Sequence, residues 1–291
     1  MKQKGEIFYV GVDGGGTHCR ARLTDHHGQV LGEGVSGSAN VYSDAEGAVV
    51  SILDAIRKAL HQAGLDEQAF SRLHLGLGLA GAEMRVAKSF LGQWRHPFAK
   101  LAHASDAHIA CLGAHAGKNG SILIIGTGIC GWSIIGEQHS SWSGWGFPFA
   151  DQGSGAWLGL RLYQLTLQAL DGVIAASDLT HSFAADFDFK AEAIVQFYRN
   201  ATPASFAKLA PLVVQNAAQN DSNATSILAE QQSIIQALIK SMHDFNDQPV
   251  VLMGGLAEIV KQNLAAEYQS WIADSKGDAL SGALQLARTA P

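Results

Sequence analysis

Two stretches of this chain, about one hundred residues apart, read as an apolar strand, a turn of small residues and a second strand. In the first, Ile7-Phe8-Tyr9-Val10-Gly11-Val12 runs into Asp13-Gly14-Gly15-Gly16-Thr17 and resumes from Arg20 to Leu23. In the second, Ser121 to Ile125 runs into Gly126-Thr127-Gly128 and resumes from Ile129 to Ile135. The recurrence predicts a duplication of structure rather than of sequence, with one hairpin in each half. Glycine is abundant, 32 of 291 residues, and the turns are where it collects.

A chain of 291 residues suits two domains, because single cores stop growing at roughly 250–300 residues. The expected division is 1–116 and 117–291, with a final helix at 278–289 packing on the first domain. No Pro- or Ser-rich linker separates the halves, which puts a hinge near His115 to Gly120. Hydrophobic residues at 47% against 16% charged exclude a disordered chain. A net charge of −6 offers no cationic surface to nucleic acid. Cys19, Cys111 and Cys130 are odd in number and lack C-x-x-C spacing, which fits a reducing compartment and a cytoplasmic location. Ile7 to Val12, following Lys2 and Lys4, is too short for a signal peptide. The uncharged run Asn119 to Gly136 is broken by glycines and hydroxyl residues, so it reads as two strands and a turn rather than a membrane span.

The remaining pattern alternates strands and helices. Val30–Val35 and Leu73–Leu79 read as strands, the second with His74, Gly76 and Gly78 on one face, where glycine permits close backbone approach. Val49, Ile52, Leu53, Ile56 and Leu60 give Ala45–Leu60 a helical stripe ending at Gly64. Ala82–Trp94 and Ala107–His115 are expected helices, and Leu101–Ala104 a short strand leading to Ser105-Asp106. A Trp/Gly-rich loop, Ser140–Gly153, precedes a helix at Ala156–Leu170. The region Ala175–Asn246 is expected to be helical, with Ile227, Ile234, Ile235, Leu238, Ile239, Met242 and Phe245 on one face. Then come a strand Pro249–Met253, a Gly254-Gly255 turn, and helices at Ala257–Leu264 and Asp278–Arg288. This order predicts an α/β protein with mixed sheets.

Gly126-Thr127-Gly128-Ile129-Cys130-Gly131 matches G-x-G-x-x-G, but Trp132 to Ile135 continues as a strand where a dinucleotide motif needs a helix. The first turn lacks the Gly-Lys-Ser/Thr of a P-loop. Either turn alone is explained as a tight hairpin. Together they can offer backbone N–H groups to phosphate oxygens. Asp13 beside such a turn would repel an anion unless a divalent cation lies between, which points to Mg²⁺ held through water. Thr17 and Thr127 add hydroxyls. The histidines form no H-E-x-x-H pattern and read as surface residues, while Trp142, Trp145 and Trp157 read as core.

Five segments, in order, resemble the superfamily of sugar kinases, actin and heat-shock ATPases: Val10–Leu23, Leu75–Gly81, Ser121–Ile134, Pro249–Leu264 and Gly277–Ala283. The resemblance implies two duplicated actin-like (ribonuclease H-like) ATPase domains around a cleft, with ATP and Mg²⁺ as cofactors. Gly14, Gly15, Gly16, Thr17, Gly126, Thr127, Gly128, Gly254 and Gly255 would serve the nucleotide, and Asp13 the metal. Within that superfamily, Ser36–Asn40, Ser105–Ala107, Gly144–Pro148 and Asp151–Trp157 resemble the N-acetylglucosamine and glucosamine kinases of the BadF/BadG-type branch. The resemblance implies phosphorylation of the sugar 6-hydroxyl, with Asp106 as catalytic base and Asn40, Asp106, Trp145, Gly146 and Asp151 on the sugar. Asp106 also sits where a residue can cap a helix, Asp151 suits sugar, Mg²⁺ water or a helix start, and Trp145 suits ligand or packing. Thr202–Pro211 resembles a stretch near adenine. Ile129 departs from the usual serine. Gln152 resembles glucosamine kinases, whereas Gly144-Trp145-Gly146 resembles the N-acetylglucosamine type, so the acceptor is divided between them, with N-acetylglucosamine the first expectation and glucosamine the alternative. A homodimer is implied by the resemblance alone. An iron–sulfur activator ATPase would need closely spaced cysteines, and a sugar-sensing regulator an N-terminal DNA-binding helix pair; neither pattern is present.

Overall fold

A computed structural model describes residues 6–290. Lys2 and Lys4 lie outside the described residues. The elements in chain order are β1 (Phe8–Gly14), β2 (Cys19–Thr24), β3 (Val30–Ser36), α1 (Ala45–Gln62), a 3₁₀ turn at Glu67–Arg72, β4 (Leu73–Leu79), α2 (Arg85–Gln93), β5 (Lys100–Ser105) and α3 (Asp106–Ala114). They continue with β6 (Gly120–Ile125), β7 (Ile129–Ile135), β8 (Gln138–Ser143), α4 (Gly155–Leu170), α5 (Asp178–Ala185), α6 (Ala191–Tyr198), α7 (Pro203–Ala207), α8 (Ala210–Ala218) and α9 (Ser222–Phe245). The chain ends with β9 (Val250–Met253), α10 (Ala257–Asn263), α11 (Ala266–Gln269), β10 (Ile272–Ala273) and α12 (Ala279–Arg288).

Two five-stranded mixed sheets result, in the orders β3-β2-β1-β4-β5 and β10-β9-β6-β7-β8. The fold is therefore α/β with mixed sheets, as the alternating pattern predicts. Two compact units emerge among the described residues: 6–120, 133–139 and 274–290 form the first, and 121–132 and 140–273 the second.

In the first unit, β1 pairs antiparallel with β2 and parallel with β4, and β4 pairs parallel with β5. Val10, Val12, Leu73, Leu75, Leu77 and Leu79 are fully buried, packed with Ile52, Ile56 and Leu60 from α1. The glycines of these strands admit helices. Gly11 and Gly76 are register partners, and a Cβ on Gly76 would lie 2.6 Å from the Ala287 N of α12. A Cβ on Gly11 would lie 2.7 Å from the Leu280 O of the same helix. On α3 a Cβ on Gly113 would reach 2.8 Å from the Asp278 carbonyl carbon, so α12 rests on strands and helix through bare backbone. Arg22 Nη1 and Nη2 donate to Asp278 at 3.1 and 3.0 Å, which fixes the helix start.

The second unit holds two apolar clusters. One gathers Trp157, Leu158, Leu162, Phe183, Ile194, Tyr198 and Phe206 among α4–α9. The other packs Leu123, Ile125 and Val250 of the sheet against Ile235, Ile239 and Met242 of α9.

Several expectations are corrected. Ser140–Gly153 is not all loop, because β8 extends to Ser143; its Gln-His-Ser-Ser-Trp-Ser sequence is too polar to announce a strand. The helix expected from Ala82 starts at Arg85, after a turn closed by Met84 N–H to Gly81 O at 3.1 Å. Trp157 is core, but Trp145 is 81% exposed. The histidines are not uniformly on the surface, since His115 is buried.

Candidate active site

The first cluster of predicted residues stands at the carboxyl ends of three adjacent parallel strands. Gly14 of β1 is the register partner of Leu79 of β4, which in turn partners Ser105 of β5. The segments that follow these strands are tied together by main-chain bonds: Ala80 N–H donates to Gly14 O at 2.8 Å, Ala39 N–H to Gly15 O at 2.9 Å, and Val41 N–H to Ala80 O at 3.1 Å. These bonds bring Asp13, Asn40, Gly81 and Asp106 to one end of the sheet. Open α/β sheets place ligands at this end.

Asp106 opens α3, but it does not cap it. Ser105 does, its Oγ accepting from His108 N–H at 3.1 Å. The Asp106 carboxylate accepts from Ala107 N–H at 2.8 Å. Burial, reinforced by the nearby Asp13 charge, raises its pKa above the ordinary carboxylate value, and the Ala107 bond opposes the rise. Asn40 Oδ1 accepts from Tyr42 N–H at 3.0 Å and Ser43 N–H at 3.1 Å, so its acceptor is committed to its own turn while its amide nitrogen remains a donor.

The glycine turn of the first hairpin is closed by Gly15 N–H to His18 O at 2.9 Å. Beyond it, Gly16 has nothing within 4 Å of the place a Cβ would take, which leaves an open approach. The sequence reading missed Arg20. It is the register partner of Asp13, and its guanidinium forms an ion pair with the Asp13 carboxylate while half-exposed. Period-two alternation in a hairpin that carries Asp13 was the signal for it, since residues paired across an antiparallel ladder are neighbours.

The second cluster lies in the second unit. Gly126 N–H closes its turn on Gly128 O at 2.9 Å, and α4 begins against it: Gly155 N–H donates to Gly126 O at 2.8 Å and Ala156 N–H to Thr127 O at 3.1 Å. The positive end of the α4 dipole thus meets the turn, which favours an anion there. Gly126 has open space where a Cβ would stand. Asp151 does not start the helix, because Ser154 is the N-cap. Its buried carboxylate lies 3.0 Å from the place a Gly128 Cβ would take and accepts from the Ile129 backbone; burial raises its pKa. Thr202 caps α7, accepting from Ser205 N–H at 3.3 Å.

Gly254 and Gly255 follow β9 beside this turn. Gly254, at φ +93°, packs on the Ile125 backbone, and Leu256 N–H donates to Ile125 O at 3.0 Å. Gly255 faces open space. A cavity of about 490 Å³ lies along α8, α9 and α10, with Val214, Leu228, Gln232, Val260 and Asn263 in its wall.

Turns whose glycines leave room for close approach, a hard carboxylate at Asp13 and a cation at Arg20 fit a Mg-nucleotide. Cys19 and Cys111 are buried, and burial pushes both thiols up to about 12.

Two mixed sheets, each opening on a glycine-turn hairpin, define an actin-like ATPase fold of the kind used by sugar kinases. The chain belongs to the BadF/BadG/BcrA/BcrD ATPase family, whose sequence profile matches residues 10–287. It is similar to the glucosamine kinase GspK of Vibrio cholerae, 39% identical over 280 residues, 96% of this chain and 95% of that one. A solved structure from Chromobacterium violaceum, provisionally named an N-acetylglucosamine kinase, superposes with a TM-score of 0.84 at 34% identity, covering 98% of this chain and 100% of that one. A ROK family glucokinase from Streptomyces griseus shares the fold, with a TM-score of 0.52 at 19% identity over 97% of this chain and 99% of its own.

Proposed function

We propose that this protein is an ATP-dependent kinase of amino sugars, transferring the terminal phosphoryl group to the sugar 6-hydroxyl. The observation that carries the reading is Asp106: a buried carboxylate at the end of β5, relieved of capping by Ser105 and close enough to Asp13 to feel its charge. Phosphoryl transfer asks little covalent chemistry of a protein; it needs an oriented hydroxyl, a proton acceptor and charge stabilisation. Asp106 accepts the hydroxyl proton. Burial helps here, since a raised pKa makes the carboxylate a stronger base.

The Asn40 amide donates to a sugar hydroxyl, and Trp145, Gly146 and Asp151 serve the same ligand, with Asp151 at the same time bracing Ile129. Gly14, Gly15, Gly16 and Thr17 form one phosphate turn, and Gly126, Thr127 and Gly128 the other. The closing amides of Gly15 and Gly126 shape these turns, so the N–H groups that reach phosphate are those of their neighbours. Arg20 adds a cation. Asp13 would hold Mg²⁺ through water, and the ion would supply neutralisation of the charge on the transferring group. Gly254 and Gly255 let the adenosine pass, with the cavity along α8–α10 suited to the base. Location in the cytoplasm, a homodimer and the absence of nucleic-acid and membrane partners belong to the same proposal; among the described residues no helix is long and apolar enough to cross a membrane.

N-acetylglucosamine is the acceptor expected from Gly144-Trp145-Gly146, and the Chromobacterium structure supports it. Glucosamine is supported by Gln152 and by the 39% identity to the Vibrio kinase, and we favour it. The test is ADP release with Mg-ATP against glucosamine, N-acetylglucosamine, glucose, N-acetylmannosamine and no sugar. Saturable turnover with an amino sugar is the expected result; hydrolysis indifferent to sugar, or none, overturns the reading.

A further inference from the structure

The segment between β8 and Asp151 carries two of the most exposed large apolar side chains of the described residues, Trp145 at 81% and Phe149 at 90%. Exposed apolar side chains scattered singly need no explanation, but two rings gathered on one short segment can mark a ligand-binding surface. The segment is not slack. Ala150 N–H donates to Gly146 O at 2.9 Å, making one turn with Trp145 and Phe149 four residues apart. Ser143 Oγ donates to Ala150 O at 3.3 Å, and Phe147 points the other way, its ring 5.1 Å from that of Phe206 in the helical core. Gly144 and Gly146 take φ of +77° and +102°, conformations that glycine adopts without cost. Both stems rest on the second glycine hairpin. A Gly144 Cβ would lie 3.3 Å from Cys130 Sγ, and Asp151 touches Gly128. Whatever the loop presents is therefore presented beside a phosphate turn.

One side chain closes the last part of this loop. Gln152 Nε2 donates to Phe149 O at 2.8 Å, while Gln152 N–H donates to Ala150 O at 2.9 Å. Without that side-chain bond, the Phe149 peptide is held on one side only. We infer that Gln152 is a positioning residue for acceptor recognition: its amide holds the loop so that Trp145 and Phe149 offer their rings to the apolar face of the sugar. The inference rests on the amino-sugar kinase reading. A pyranose has such a face, its C–H groups, and an aromatic ring covers it with little loss of side-chain freedom. The chemistry of the bond separates glutamine from its isosteres. Methionine has the length but no donor, and glutamate would set a carboxylate against the Phe149 carbonyl.

The experiment compares wild type with Gln152→Met, Gln152→Glu and Phe149→Ala, measuring KM for the sugar, KM for ATP and kcat, with folding checked by circular dichroism. Loss of one neutral hydrogen bond corresponds to roughly a three- to tenfold change. The expected result is a rise of that size in sugar KM for all three variants, with ATP KM and kcat within about twofold of wild type. The sugar-induced change in tryptophan fluorescence should weaken in Gln152→Met and vanish in Trp145→Phe. An unchanged sugar KM in Gln152→Met or Phe149→Ala overturns the inference while leaving the kinase reading intact. So does an equal loss in ATP KM and kcat, which marks a general structural role, or dissociation of an oligomer by Phe149→Ala at constant sugar KM. A wild-type protein that phosphorylates no sugar overturns both.

Discussion

Replacing Gly76 by alanine tests how α12 is held. The added methyl would stand 2.6 Å from the Ala287 N and closer still to the Ala283 O, both main-chain atoms of α12 that no rotamer change can move. Ordinary contact asks for roughly 3.4 Å, so the helix must lift by about 1 Å along its middle. A gap of ~0.5–1 Å forfeits a quarter to a half of the dispersion well for the atoms facing it. Leu280, Ala283 and Ala287 are the buried residues of that face. Overpacking of this kind costs ~1–3 kcal/mol, and the lifted contacts add to it. Against this stands a gain of ~0.5–1 kcal/mol, because alanine loses less backbone freedom than glycine on folding. The net expectation is a loss of about 2–3 kcal/mol, or ~5–10 °C in Tm for a unit of this size. Urea unfolding followed by circular dichroism reads it. Gly92→Ala is the internal control: Gly92 lies in α2 with nothing within 4 Å of the added methyl, so helix propensity alone should leave it neutral or stabilised by up to ~1 kcal/mol. If Gly76→Ala stays within about 0.5 kcal/mol of wild type, the close packing of α12 on the strand is wrong.

Asp106→Asn should lower kcat by roughly 10²–10⁴-fold with nucleotide affinity nearly unchanged; a near-normal rate would remove Asp106 as the base. Because burial and Asp13 raise the Asp106 pKa, the active carboxylate is lost as pH falls through a value above the ordinary 3.8, and the acid limb of kcat/KM should sit there; a limb at or below 3.8 contradicts the described environment. Asp278 behaves oppositely: burial raises its pKa, but bonds from Ser281 and Arg22 outweigh that and hold it down at about 2. Its contribution to stability is present above the unfolded-state pKa and fades as pH falls toward 2. With the side chain 46% exposed, solvent screening limits it to about 1 kcal/mol, so Asp278→Asn should flatten the acid stability profile by that much between pH 4 and 2. Substituting Asp13 by Asn should weaken nucleotide binding with Mg²⁺ present more than without it, as isothermal titration would show.

The hairpins were legible because each joins two apolar runs through residues that can only turn. The order of strands and helices followed from the same alternation, and Gly76 announced itself by breaking a leucine strand on one face. What escaped reading depended on partners distant in sequence. β8 is a polar edge strand, recognisable only by its pairing. The relief of Asp106 by Ser105, and of Asp151 by Ser154, is a contest between neighbours that composition does not decide. Trp145 looked like core because tryptophan usually is, and only the α-turn at Gly146–Ala150 with Phe147 pointed inward explains why it faces water. Arg20 was hidden because a lone arginine in a strand carries no motif; its meaning comes from facing Asp13 across the ladder.

The placement of α12 sets an order of events during synthesis. The first unit takes the chain up to residue 120 and then residues 133–139, and waits, while the ribosome makes the rest of the second, for the stretch that starts at residue 274. Until then Gly11 and Gly76 line a bare furrow on an otherwise complete sheet, and Arg22 lacks its Asp278. At ~5–20 residues per second that interval lasts on the order of ten seconds or more, long enough for a chaperone to occupy the furrow. Ribosome-bound chains halted before and after α12 should differ sharply in protease resistance of the first unit, so that a helix made after the second unit acts as the latch on the first.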